Sequence, residues 1–156
     1  MQSPLELIPF LNCNDNILEC LVDPLADKGF MYDGIKNGDI NFHKWRTKNS
    51  TYNAYNINTK SIVEIKNVSI VNYEIQKKTN SITLLTYNYD LYKNLMADLA
   101  KHNFQEESPI KLEKGYSYLY KSLNYSNLEV EVILSWQKLK DENLVTFYFF
   151  RIKKFK

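Results

Sequence analysis

Two stretches of the chain share one helical pattern, each followed by strand-forming sequence, and this pairing restricts the fold more than any other feature. Asn16–Phe30 reads NILECLVDPLADKGF and Asp90–Phe104 reads DLYKNLMADLAKHNF, and the two align without a gap. Ile17, Leu18, Leu21, Val22 and Leu25 then match Leu91, Tyr92, Leu95, Met96 and Leu99. Their spacing (i, i+1, i+4, i+5, i+8) lays one apolar stripe along an amphipathic helix. Asn16 and Asp90 stand at N-cap positions, where a short polar side chain accepts from an orphan amide. Gly29 and Asn103 stand where a left-handed residue ends a helix, and a Phe follows each. Pro24 should kink or shorten the first helix, because it removes an interior amide donor. A short helix over Leu5–Leu11 precedes it.

Both helices lead into β signals. Gly115–Lys121, Asn127–Trp136 and Asn143–Lys153 are Tyr-, Val- and Phe-rich runs separated by polar turns. The last of them is apolar on both alternations near Phe147–Phe150, which suits a central strand covered on both faces. In the first half, Asn37–Gly38 is a tight-hairpin signal between the runs Phe30–Ile35 and Asp39–Trp45. Thr51–Asn58, Ser61–Glu64, Val68–Gln76 and Ser81–Tyr87 are further strand candidates. The pattern predicts an α+β fold with pseudo-twofold character, a tandem duplicated unit of one helix followed by an antiparallel β-meander, with helices packed on sheet faces. About 75 residues with one helix bury too little surface to be stable alone. The two repeats, about 14–88 and 89–156, are therefore expected to share one core in a single domain, 1–156.

Composition narrows the class. Apolar residues make up 44% and charged residues 24%, enough for a packed core. Twenty Lys+Arg against eighteen Asp+Glu leave a net charge of +2, too little to signal a nucleic-acid or membrane partner. No segment approaches the ~20 apolar residues of a membrane-spanning helix. The opening MQSPLELIPFLNCNDN lacks a basic region and an unbroken apolar stretch, so a cytoplasmic protein is expected. Eighteen Asn, eighteen Lys and twelve Tyr against two Arg suggest codon bias, so abundance of these residues carries no functional weight.

Chemical sites are sparse. Cys13 and Cys20 fit no metal-binding spacing, and two cysteines exclude a disulfide scaffold; Cys20 reads as packing. His43 and His102 are far apart, a Cys13–His43 pair has no orienting group, and no GxSxG, Walker-type or GxGxxG motif occurs. No metal, no cofactor and no catalytic residue is assigned. Candidate binding residues fall in two groups. One is His43, Lys44, Trp45 and Arg46 at a strand end, with Trp45 either capping the core or anchoring an interface. The other is Tyr116, Tyr118 and Tyr120 together with Glu129 and Glu131, placed on one face if adjacent pleats align. These features suit a small protein-binding module without catalytic activity, such as an immunity-type protein or a phage-type inhibitor. Its partner would be another protein, a toxin or nuclease effector. The alternative is nucleic-acid binding through a Tyr-bearing sheet and basic strand ends.

Overall fold

Ser3 starts the first helical segment. Its hydroxyl accepts from the Leu5 amide, and Glu6 accepts from the Ser3 amide, a capping box that opens a 3-10 helix over Pro4–Asn12. The computed structural model describes residues 1–36 and 42–156. After the 3-10 helix come α1 (Ile17–Asp27), β1 (Phe30–Lys36), β2 (Phe42–Thr47), β3 (Ser50–Asn56), β4 (Ser61–Asn67), β5 (Ile70–Ile75) and β6 (Thr79–Thr86). Then follow α2 (Tyr89–Lys101), β7 (Phe104–Glu106), β8 (Ile110–Leu112), β9 (Gly115–Ser122), β10 (Leu128–Lys138) and β11 (Leu144–Phe155). The expected Asn37–Gly38 turn lies outside the described residues.

Helical spacing buries Ile17, Leu21 and Leu25 on α1, and Leu91, Leu95 and Leu99 on α2. The two helices end alike, with Gly29 and Asn103 at positive φ. They begin differently. Asn16 is left-handed and makes no side-chain cap, whereas α2 is capped by Asn88, not Asp90, with the Asn88 side chain accepting from the Asp90 amide at 3.0 Å. α1 runs through Pro24, and Leu18, expected in the buried stripe, is 42% exposed.

The duplicated-unit expectation is overturned, and so is the α+β class. The described residues are mostly β, one antiparallel sheet of eleven strands, not a tandem helix-plus-meander repeat. Its order is β1-β2-β5-β6-β11-β10-β9-β7, with β3, β4 and β8 attached off this row. Among the described residues six strands follow α1 and five follow α2, and the β3–β4 pair joins the row's ladder at Asn56, opposite Val145. The shared helix pattern has a simpler cause: two helices that cover the same sheet face need the same apolar spacing.

Register shows which face that is. Trp45, Val71, Leu84, Phe150 and Val132 lie directly opposite one another across successive strands and are all buried. All three helical segments contribute to the same apolar cluster, through Leu7 and Leu11, Leu21 and Leu25, and Leu95 and Leu99. The helices thus cover one face, not both. A smaller cluster (Ala54, Ile65, Tyr87, Val145) anchors the β3–β4 pair. β11 is central, between β6 and β10, as its sequence suggested; its helix-side residues are covered along its length, and on the other face Val145 is buried by the β3–β4 pair.

Candidate functional site: the open face of the sheet

Alternation leaves the other side chains of each strand on the face away from the helices. Three rows cross it. Met31, Arg46, Ile70, Leu85, Phe149, Ile133 and Ser117 are partners in sequence across seven strands. Next to it runs Lys44, Asn72, Thr83, Arg151, Glu131 and Leu119. The third is Glu74, Ser81, Lys153, Glu129, Lys121 and Gln105. The first row is the apolar one: Ile70, Leu85, Ile133 and Phe149 are half-buried and Met31 is 46% exposed.

Charges flank this apolar row in pairs. Asp33 lies 3.8 Å from both Lys44 and Arg46. Arg151 reaches Glu131 at 3.5 Å and lies over the Phe149 ring, 4.8 Å from its centroid. Glu129 sits 3.3 Å from Lys121, which also meets Glu107 at 3.2 Å. Such half-exposed pairs add little stability, but they fix charges of both signs around an apolar strip.

The structure divides the sequence-predicted residues between the two faces. Lys44, Arg46, Glu129 and Glu131 share the open face, although Lys44 and Glu131 are four strand spacings apart, about 19 Å. Tyr116, Tyr118 and Tyr120 oppose Leu134, Val132 and Val130, so they project to the helix side, away from Glu129 and Glu131. The assumed pleat alignment is therefore wrong by one residue. Tyr118 and Tyr120 are half-buried beside α2. The Tyr120 hydroxyl is 3.7 Å from Met96 Sδ and 3.4 Å from Glu106 Oε2; burial, with the nearby Glu106 carboxylate, pushes its pKa up. They do not form a stacking platform, and only Tyr116 is exposed.

Trp45 is fully buried and belongs to the core. His43 is half-buried on the same side; its Nδ1 is 3.1 Å from the Tyr32 hydroxyl, and burial pulls its pKa down, favouring the neutral ring. Cys13 and Cys20 are joined in a disulfide with Cα atoms 6.0 Å apart, which corrects the reading of Cys20 as packing and leaves no thiol at Cys13. His102 is the C-cap of α2, one residue beyond its last turn, and its carbonyl accepts from Ser122 Oγ at 3.0 Å. Among the described residues no group of three or more His, Cys, Asp or Glu is placed to hold a metal, and no helix is long and apolar enough to cross a membrane.

The sequence reading missed the apolar row itself. Its signal was the second alternation of three strands, Ile133 in β10, Phe149 in β11 and Leu85 in β6, which reads as ordinary core when taken strand by strand. No family model, curated protein or solved structure matches this chain.

Proposed function

We propose that this chain is a protein-binding module that works by covering the surface of another protein, without chemistry of its own. The observation that supports it is the open sheet face: an apolar row through Ile70, Leu85, Phe149 and Ile133, with flanking charges of both signs. Interfaces share this plan, an apolar centre with a polar rim. The paired carboxylates fit the same reading, since Glu129 and Glu131 each rest against a cation. Inhibitors of the immunity or phage type, whose partner is a toxin or nuclease effector, work by this kind of surface occlusion. The Cys13–Cys20 bond supports work in an oxidising compartment, whereas the expected cytoplasmic setting would keep both thiols reduced.

The test uses the double variant Ile133→Glu, Phe149→Glu. Both side chains are half-buried and Phe149 lies under Arg151, so the melting temperature should fall, and unchanged far-ultraviolet circular dichroism checks that the fold survives. A protein partner cross-linked to the wild type in its host, then purified, should bind this variant about 2 kcal/mol or more weaker. Undiminished binding would remove the open face from the reading. Recovery of RNA or DNA instead, with affinity falling steeply as salt rises, would replace protein binding by nucleic-acid binding.

A further inference from the structure

A second surface lies on the helix layer, beside the β1 edge. A cleft of about 640 Å³ opens between α1 and β1, with Val22 and Ala26 on the helix side and Phe30, Met31 and Tyr32 on the strand side. Leu18, 42% exposed, extends the Val22–Ala26 line along α1 at four-residue spacing, and half-buried Tyr32 faces it from the strand side. An apolar strip of this kind on the outside of a helix does nothing for the core.

The charges beside it are one-sided. Asp15, Glu19, Asp23 and Asp27 recur every fourth residue, all are exposed, and residues 15–27 contain no Lys or Arg. Asp15 precedes the helix, and on the helix Glu19, Asp23 and Asp27 lie about 6 Å apart along the axis. Among the described residues none of the four forms an ion pair. Glu19 in the first turn suits the positive end of the helix dipole, but Asp23 and Asp27 add nothing to folding, since like charges at i, i+4 repel and Asp27 faces the negative end. α2 follows the usual pattern instead, with Asp90 paired to Lys93 at 2.9 Å and Lys101 in its last turn. Of the two lysines at the cleft, Lys28 is held by Glu6 at 2.7 Å, and Lys48 stands on the wall opposite the acids.

We infer that the cleft and the outer face of α1 dock a basic, amphipathic segment of a partner protein. Its apolar side would lie along Leu18, Val22, Ala26 and Tyr32, and its Lys or Arg side would meet the acidic row. Charge complementarity selects this occupant: an acidic or neutral helix would leave the row repelled or unmatched. The inference rests on the protein-binding reading but uses a surface separate from the open sheet face.

The test titrates the full chain with a synthetic helical peptide bearing Leu on one side and Lys on the other, at physiological salt. One control peptide replaces Lys by Glu, and another replaces Leu by Ser. The Leu/Lys peptide should bind, with amide shifts confined to α1 and Phe30–Tyr32. Glu19→Gln, Asp23→Asn, Asp27→Asn together should weaken it about tenfold or more, and Leu18→Ser with Val22→Ser likewise. Glu19→Gln gives up a favourable charge at the helix start while the two Asp→Asn changes relieve repulsion, so circular dichroism should stay close to the wild type. No binding, equal binding of the Lys/Ser peptide, or shifts on the open sheet face would overturn the assignment. None of these outcomes touches the Ile133–Phe149 test, so the docking surface can fail while the protein-binding reading stands.

Discussion

Tyr73 is wholly buried on β5, and its hydroxyl donates to the Cys13 carbonyl at 2.6 Å, tying the sheet to the loop before α1. Burial pushes its pKa up to about 12, with Asn80 pulling weakly the other way. An unfolded tyrosine titrates near 10. The folded state therefore prefers the neutral phenol; its stabilisation is complete below about pH 10 and lost as pH rises through 12. Burial pushes Tyr52, Tyr87, Tyr92, Tyr120 and Tyr148 the same way. The melting temperature should fall steeply between about pH 10 and 12. Tyr73→Phe should be less stable at pH 8 by about 1 kcal/mol, for the lost hydrogen bond, yet decline less over the alkaline range. A parallel decline in both proteins would exclude Tyr73 as a contributor. Trp45 illustrates what alternation leaves open at this scale. NFHKWRT places His43 and Trp45 on one face, but whether that face meets helices or solvent depends on elements far away in the chain.

At the scale of elements, the beginning of α1 is unusual. Asn16 offers no side-chain cap, and the disulfide joins Cys20, on the fourth helical residue, to Cys13 just ahead of the helix. The bond takes the place of the apolar contact that often staples a helix start to the preceding chain. Closing so short a loop, seven residues apart in sequence, is worth about 2–3 kcal/mol in the chain-entropy model. Reduction should lower the melting temperature, and Cys13→Ser with Cys20→Ser should reproduce that loss and abolish the response to reductant. Hydrogen exchange should speed up in α1 and stay unchanged in α2. Equal melting with and without reductant would mean the bond has no structural weight. The pairing was not legible, because it depends on the left-handed turn at Asn16, and residue type permits such a turn without requiring it. The helix stripes and the long strands were legible, since Leu21, Leu25, Leu95 and Leu99 keep a period of 3.6 and Leu128, Val130 and Val132 a period of 2. β7 and β8 were not, because three residues show no period. Nor was the pairing of Val130 with Tyr120, which puts the tyrosines and Glu129 on opposite faces: each strand's alternation is local, while register belongs to the pair.

At the scale of the whole molecule, β6 and β11 pair in the middle of one sheet, so both ends of the row depend on the same ladder. The two tryptophans lie on either side of it, Trp45 on β2 and Trp136 on β10. Trp136→Phe leaves Trp45 as sole reporter on its side, and its fluorescence should trace the same denaturant transition as far-ultraviolet circular dichroism. Separate transitions would mean that the halves of the sheet unfold independently.

The central place of β11 also bears on how the chain is made. A ribosome delivers β6 and β10 before β11 exists, and until then each presents an unpaired edge to whatever strand is nearest. The β10 edge is closed locally by its hairpin with β11, but the β6 edge must wait for a strand about sixty residues further on. The nascent protein is therefore most prone to pair with a neighbouring copy in the interval before β11 clears the exit tunnel, and slower translation just ahead of Leu144 would lengthen that exposure.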